Sequence, residues 1–169
     1  RMNGIGRRVA IVEGCRTPFA KSGTDFKDIS AVELGKIAVR ELIARAELDV
    51  EQVDHLVYGT VIQSVKEPNI AREVTLGAGL PPRVPAFTVG RACASANQAI
   101  TSGAEQIALG MADVVIAGGA ESLTDVPILF SPEMRNALVR ASKAKSLGER
   151  LKAFSTIRPR NLAAVTPPI

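Results

Sequence analysis

The chain has 169 residues, of which 46% are hydrophobic and 22% are charged, and this composition is ordinary for a globular protein with one core. It contains no apolar run near the ~18 residues that cross a bilayer, and residues 1–8 include no apolar signal segment, so neither a membrane span nor secretion is expected. Eight Lys or Arg and two Glu within residues 131–160 give a local charge of +6. The total of +4 therefore leaves −2 elsewhere, and overall charge does not indicate nucleic-acid binding.

Hydrophobic runs alternate with helical patterns along the first 120 residues. This alternation, strand–helix–strand–helix–strand–helix–strand, predicts an α/β fold with a mostly parallel sheet covered by helices on both faces. Ser30 is the expected N-cap of the first helix, with Glu33 at the capping-box position. The predicted elements are strands over 9–14, 55–62, 84–89 and 113–119, helices over 30–46, 69–79 and 93–110, and a helical turn over 49–53.

Two helical segments carry further expectations. Residues 93–111 are almost all small or apolar, which predicts a helix buried on all sides. Residues 131–160 can form one apolar stripe at helical spacing, with Gly148 as its weak point and most basic residues off the stripe. A solvated basic helix packed on the domain and a surface that binds a partner both remain open for this segment.

Cys93 is the candidate catalytic residue. The predicted strand 84–89 runs into it and a helix follows, so we expect Cys93 in the first helical turn. There the helix dipole and unpaired backbone N–H groups would favour the nucleophilic thiolate. A cysteine that only packs in the core is the alternative. Because an intracellular setting keeps thiols reduced, we expect no disulfide between Cys93 and Cys15.

Four segments resemble, in the right order and spacing, the N-terminal part of the thiolases. They are residues 16–19 with Gly23, 68–72, 91–99 and 117–122. The resemblance covers about residues 8–165. It is closest to the thiolases of fatty-acid β-oxidation that act as the β partner of a trifunctional complex, which share 125–128 and a basic segment like 142–146.

The resemblance implies a domain organisation. Residues 1–125 would be an incomplete thiolase N-terminal domain, the first half of a two-half layered fold. Residues 126–169 would begin the inserted loop domain that holds coenzyme A. The C-terminal half, which supplies the family's catalytic histidine and second catalytic cysteine, would be absent, so we expect the chain to be a fragment.

The resemblance also implies a reaction. Cys93 would attack a 3-ketoacyl-CoA, acetyl-CoA would leave, and coenzyme A would then remove the acyl group from the cysteine. Coenzyme A and acyl-CoA are substrates, so no cofactor and no metal are expected, and the sequence identifies no residue that holds coenzyme A. Ala96 and Asn97 depart from the Gly and Leu that are commoner in the family, and Ser95 and Asn97 are candidates for contact with a second subunit.

A cysteine nucleophile needs a base, usually histidine. The one histidine of the chain, His55, begins a predicted strand, and nothing in the matched pattern makes it catalytic. We therefore expect that the 169 residues alone do not turn over substrate.

The resemblance further implies a homodimer or dimer of dimers with a hydratase/dehydrogenase partner subunit. The basic residues of 131–160 could meet coenzyme A phosphates, a partner subunit or an acidic membrane surface. Cytoplasm is the expected compartment, with a mature mitochondrial matrix chain as the alternative. Three other functions stay open: a biosynthetic acetoacetyl-CoA thiolase, a related cysteine-dependent condensing enzyme, and a non-catalytic thiolase-like binding module.

Overall fold

The computed structural model describes residues 7–127, 129–155, 157–158 and 161. The chain divides into two compact units, Arg1–Asp125 and Val126–Ile169. The elements of the first unit are helix α1 (Ala31–Arg45), a 3-10 turn (Val50–Gln52), strand β1 (His55–Gly59), helix α2 (Ile70–Gly77), strand β2 (Ala86–Val89), helix α3 (Ser95–Ala108) and strand β3 (Val115–Gly119). Those of the second unit are helices α4 (Pro132–Lys143) and α5 (Leu147–Phe154).

The three strands form one parallel sheet in the order β2-β1-β3, which confirms the predicted fold class. Val57 of β1 is level with Phe87 of β2 and Ala117 of β3. At the carboxyl edge of the sheet, Gly59 is level with Val89 and Gly119. All three strands therefore end at one edge, which is where α/β proteins build their sites.

The expected first strand, residues 9–14, is not a strand in the structure. The side chains of Ile11 and Val12 are 83% and 87% exposed. The described residues show one backbone hydrogen bond nearby, from Arg7 N–H to the Ala108 carbonyl at 3.4 Å, and an ion pair between Arg7 and Asp113. An apolar run indicates strand propensity, but a strand forms only when a neighbour pairs with its backbone, and here that pairing is not made.

Helices α1 and α2 cover one face of the sheet, and their apolar side chains form the core with those of β1. Leu56 and Val74 are fully buried in this core, and Tyr58 is 3% exposed. The Tyr58 ring lies between Gly35 of α1 and Gly118 of β3, where an added Cβ would stand 3.1 Å from the ring at either position. Burial raises the pKa of Tyr58 to about 12.

The predicted N-cap of α1 is present, and α2 also begins with a capping side chain. Ser30 accepts a hydrogen bond from the Glu33 N–H at 3.2 Å, and Asn69 accepts one from the Arg72 N–H at 3.2 Å. Asn69 also accepts from the Thr88 hydroxyl at 2.8 Å and donates to the Ala86 carbonyl at 3.3 Å. The Asn69 side chain thus caps the N-terminus of α2 and also bonds that helix to β2.

Helix α3 packs on the other face of the sheet, but it is not buried on all sides as predicted. Ala99 is fully buried against the sheet, whereas Ile100 is 44% exposed and Leu109 is 73% exposed. The sheet covers one face of the helix, and an apolar composition all round cannot show which of its faces has a partner.

The second unit also differs from its prediction, because the stripe is divided between two helices. The break lies at residues 144–146, where Ala144 has extended backbone and Ser146 caps α5 through the Glu149 N–H at 3.3 Å. Gly148 lies inside α5 and does not interrupt it. That this unit begins a loop domain that holds coenzyme A stays a prediction.

Candidate active site

Cys93 lies in the connection between β2 and α3, at the carboxyl edge of the sheet, and its side chain is exposed. The helix begins at Ser95 with Ala94 as its N-cap, so Cys93 precedes the helix instead of lying in its first turn. The predicted start of the helix, residue 93, was wrong by two residues because no capping side chain marks the start of α3. Cys93 still lies directly before the N-cap of α3, with its side chain exposed.

The backbone around Cys93 forms a tight turn. The Ala94 N–H donates to the Arg91 carbonyl at 3.0 Å, and the Ser95 N–H donates to the Ala92 carbonyl at 3.1 Å. Ala92 has a φ of 46°, in the left-handed region that residues with a Cβ rarely adopt. The residue before the candidate nucleophile is therefore held in a strained conformation, an arrangement that is common at functional sites.

The side chain of Ser95 binds both sides of this turn. Its hydroxyl oxygen accepts from the Arg91 N–H at 2.7 Å and donates to the Ala92 carbonyl at 2.7 Å. Ser95 is 4% exposed, so these bonds are shielded from water. Contact of Ser95 with a second subunit stays a prediction, and within this chain its hydroxyl is engaged in its own turn.

Two glycines let the start of α3 approach the ends of the strands. A Cβ at Gly59 would stand 2.5 Å from the Ser95 carbonyl carbon and 2.7 Å from the Ala96 nitrogen. A Cβ at Gly119 would stand 2.8 Å from the Gly59 oxygen and 3.0 Å from the Ala96 Cβ. Neither contact tolerates a side chain, so these glycines set how closely the Cys93 turn lies on the sheet.

Glu121 fastens the loop that follows β1. Its carboxylate accepts hydrogen bonds from the Val61 N–H at 2.7 Å and the Ile62 N–H at 3.3 Å, with the Thr60 hydroxyl at 3.5 Å. Glu121 therefore ties the chain after β3 to the chain after β1, at the same edge of the sheet as Cys93. The sequence match over 117–122 included Glu121 but did not indicate this role.

Cys15 has a different environment from Cys93. It is partly buried, and its thiol donates to the Ala38 carbonyl at 3.1 Å. Burial raises the pKa of the Cys15 thiol, with a smaller opposing effect from Arg45. The Cys15 thiol is thus less acidic than an ordinary thiol and already hydrogen-bonded, whereas the Cys93 side chain is exposed. Both cysteines are free.

His55 lies at the opposite end of the sheet from Cys93. It begins β1, level with Val115, whereas Cys93 follows β2 beyond the level of Gly59. The two ends are four residues apart along the strands, roughly 13 Å. The His55 ring makes an edge contact with Phe87 at 5.3 Å, and its Nδ1 is buried with no hydrogen-bond partner among the described residues. This position agrees with the absence of His55 from the matched catalytic pattern.

The other matched segments lie apart from Cys93 or have structural roles. Arg72 donates to the Val84 carbonyl at 2.9 Å and to the Pro82 carbonyl at 2.9 Å, so it fixes the loop before β2. Phe19, in the matched segment 16–19, is 92% exposed, and the Arg16 guanidinium lies over its ring at 4.9 Å from the ring centroid.

Sequence reasoning missed the turn-forming roles of Ala92 and Ser95, because no sequence pattern marks a left-handed alanine. It also missed the packing role of Gly59, although a glycine at a strand end is a known signal of close backbone approach. None of the helices in the described part of the chain is long and apolar enough to cross a membrane.

Comparison with known proteins gives consistent matches. A family model described as the N-terminal domain of thiolase matches residues 9–157. A 3-ketoacyl-CoA thiolase of Yersinia pestis is 47% identical over 164 residues, which is 97% of this chain and 38% of the relative. A 3-ketoacyl-CoA thiolase of Yersinia pseudotuberculosis matches to the same extent. The chain thus spans 38% of the length of these curated relatives.

Solved structures agree. An acetyl-CoA acetyltransferase of Bacillus anthracis superposes with a TM-score of 0.73 at 35% identity, over 75% of this chain and 32% of that one. A thiolase of Ascaris suum, solved in complex with coenzyme A, superposes with a TM-score of 0.67 at 30% identity, over 69% and 31%.

Proposed function

The chain belongs to the thiolase family, and from that premise we propose that it carries the acyl-accepting cysteine of an enzyme that cleaves 3-ketoacyl-CoA with coenzyme A. One observation carries the proposal: Cys93 is exposed in a fixed turn at the carboxyl edge of the sheet, directly before the N-terminus of α3. The 47% identity to proteins named 3-ketoacyl-CoA thiolase favours this substrate class.

The chemistry divides one carbon–carbon cleavage into two easier steps. The Cys93 thiolate attacks the keto carbon at C3, and the bond between C2 and C3 breaks. The electron pair stays on C2, which takes a proton and leaves as acetyl-CoA. The thiolate of free coenzyme A then attacks the acyl-Cys93 thioester, so the shortened acyl-CoA leaves and the Cys93 thiolate returns.

Negative charge develops on the carbonyl oxygen in both steps. Backbone N–H groups at a helix N-terminus are suited to stabilise it, and the Cys93 N–H is the donor we propose. The base that removes the Cys93 proton would come from outside these 169 residues, because His55 lies at the other end of the sheet.

The remaining proposals follow from family membership. The second unit would help to hold coenzyme A, and the enzyme would work as a homodimer or dimer of dimers with a hydratase/dehydrogenase subunit. Cytoplasm is the compartment we propose. Sedimentation of the purified chain would test its self-association: a single species at the mass of 17.8 kDa would contradict association through these residues.

The test of the reaction is a single transfer from 3-ketohexanoyl-CoA, followed by intact mass measurement and peptide mapping. With imidazole added as the external base, we expect a four-carbon acyl group on Cys93 and an equal amount of acetyl-CoA released. Cys93→Ser should show neither product, and Cys15→Ser should match the unaltered chain. Acylation of Cys15, or no acyl group even when imidazole is added as an external base, would contradict the proposal.

A further inference from the structure

We propose that Ser95 is a positioning residue for Cys93: its hydroxyl holds the turn between β2 and α3 in the one conformation that presents the thiol to an acyl donor. This inference rests on the proposed function, because it assigns Ser95 a part in acyl transfer to Cys93. Ser95 itself is buried and need not touch the substrate.

The hydroxyl of Ser95 is hydrogen-bonded to both residues that precede Cys93. One hydroxyl accepts from the Arg91 N–H and donates to the Ala92 carbonyl, each at 2.7 Å. Arg91 and Ala92 are the two residues directly before Cys93. Since Ser95 is 4% exposed, water does not readily replace the hydroxyl, and its removal would leave the Arg91 N–H without a partner.

The conformation of Ala92 explains why the turn needs such a restraint. At a φ of 46°, Ala92 occupies a region that an alanine leaves unless its surroundings hold it there. If Ala92 relaxed, the peptide between Ala92 and Cys93 would rotate and the Cys93 side chain would change direction. The hydroxyl bonds to the Arg91 N–H and the Ala92 carbonyl oppose that rotation, together with the Ser95 N–H that donates to the same carbonyl.

Two backbone hydrogen bonds also hold the turn, from the Ala94 N–H to the Arg91 carbonyl at 3.0 Å and from the Ser95 N–H to the Ala92 carbonyl at 3.1 Å, but neither engages the Arg91 N–H. The remaining side-chain contacts are weaker or act on the other side. The Arg91 guanidinium donates to the Gln98 side-chain oxygen at 2.6 Å, but this contact is exposed and competes with water. Ala94, the N-cap of α3, makes no side-chain cap bond within the described ranges. The backbone of Ser95 packs closely on Gly59 of the sheet. Ser95 therefore connects the end of β1 to the strained turn.

The test compares two reactions of the same thiol in Ser95→Ala. The rate of acetyl transfer from acetyl-CoA depends on the orientation of the Cys93 thiol. The rate of alkylation by iodoacetamide depends mainly on the exposure of the thiol and on the fraction present as thiolate. We expect acetyl transfer to Cys93 to fall about 10- to 100-fold, since a displacement of about 1 Å has effects of that size. Alkylation should stay within about twofold.

Ser122→Ala is the matched control, because Ser122 is also a buried serine that donates to a backbone carbonyl, that of Ile29 at 3.3 Å. It should change neither rate. Unchanged acetyl transfer in Ser95→Ala, or an equal fall of both rates, would overturn the positioning role.

A rescue variant makes the test independent of simple destabilisation. Glycine adopts positive φ about as readily as negative φ, so Ala92→Gly should let the turn keep its shape without the hydroxyl. We expect Ser95→Ala with Ala92→Gly to regain about tenfold in acetyl transfer over Ser95→Ala. No recovery would contradict the role assigned to Ala92 strain.

Hydrogen exchange of the unaltered chain keeps the inference testable if Ser95→Ala does not fold. The Arg91 amide should exchange as slowly as the amides of β2, because its acceptor is buried. Rapid exchange of that amide would overturn the inference. If the unaltered chain accepts no acetyl group, the proposed function fails, and the exchange of Arg91 still decides whether Ser95 holds the turn.

Discussion

Gly59 shows how strongly single residues determine the geometry around Cys93. It lies at the end of β1 with the first residues of α3 directly against it, and the Ser95 carbonyl oxygen would stand 2.6 Å from an added Cβ. Backbone atoms cannot move aside as the end of a flexible side chain can. A methyl group at this position must therefore push α3, and the Cys93 turn with it, away from the sheet.

We expect Gly59→Ala to lower the free energy of unfolding by about 1–3 kcal/mol, the usual cost of overpacking. Urea unfolding followed by circular dichroism measures this change. Gly14→Ala is the control, because nothing lies within 4 Å of an added Cβ there, and it should stay within about 0.5 kcal/mol of the unaltered chain. Equal effects of the two substitutions would contradict the close packing of α3 on β1.

At the scale of elements, the contact between α2 and β2 includes a hydrogen-bonded polar pair beside the apolar core. Asn69 caps α2 and accepts the Thr88 hydroxyl at 2.8 Å, and Thr88 in turn accepts the Ala71 N–H at 3.2 Å. These bonds join the start of a helix to the middle of the strand that leads to Cys93. The pair therefore couples local helix formation to the placement of β2.

A double-mutant cycle tests this coupling. Asn69→Ala removes the cap and should lower the free energy of unfolding by about 1–2 kcal/mol. With Thr88→Val in the same chain, the loss should be smaller than the sum of the single losses by at least about 0.5 kcal/mol. Strict additivity would show that the two side chains act independently. Ser30→Ala with Thr88→Val is the additive control, because the Ser30 cap of α1 bonds to Glu33.

The elements also show what the sequence could predict. The polar cap at Ser30 and the apolar periodicity predicted α1, α2 and the three strands, because these signals are local. The run over 9–14 failed as a strand because pairing is not a local property. The start of α3 was misplaced because Ala94 offers no capping side chain. Cys93 could be predicted by motif and position, whereas the conformation of Ala92 and the bonds of Ser95 arise only when the turn meets the sheet.

At the scale of the whole molecule, Tyr58 reports on the integrity of the core. It is the one tyrosine of the chain and is buried between α1 and the sheet. Its pKa of about 12 in the folded chain compares with about 10 when unfolded. The folded state therefore keeps the proton at pH values where the unfolded state has lost it.

This shift makes stability depend on pH in one direction. The stabilisation is fully present below about pH 10, and it is lost as pH rises toward about 12, at about 1.4 kcal/mol per pH unit. Urea unfolding across that range should show the loss, and phenolate absorbance of the native chain should appear only near pH 12. Tyr58→Phe should lack this part of the pH dependence. An equal decline in both chains would contradict the burial of Tyr58 as its cause.

We expect Cys93, and not Cys15, to accept the acyl group. The most direct measurement is to incubate the chain with acetyl-CoA and imidazole and then to map the acetylated peptides by mass spectrometry. We predict one acetyl group per chain, on the peptide that contains Cys93, with Cys15 unmodified because its thiol is part-buried and bonded to the Ala38 carbonyl. Acetyl groups on both cysteines in equal amounts, or on Cys15 alone, would contradict the account.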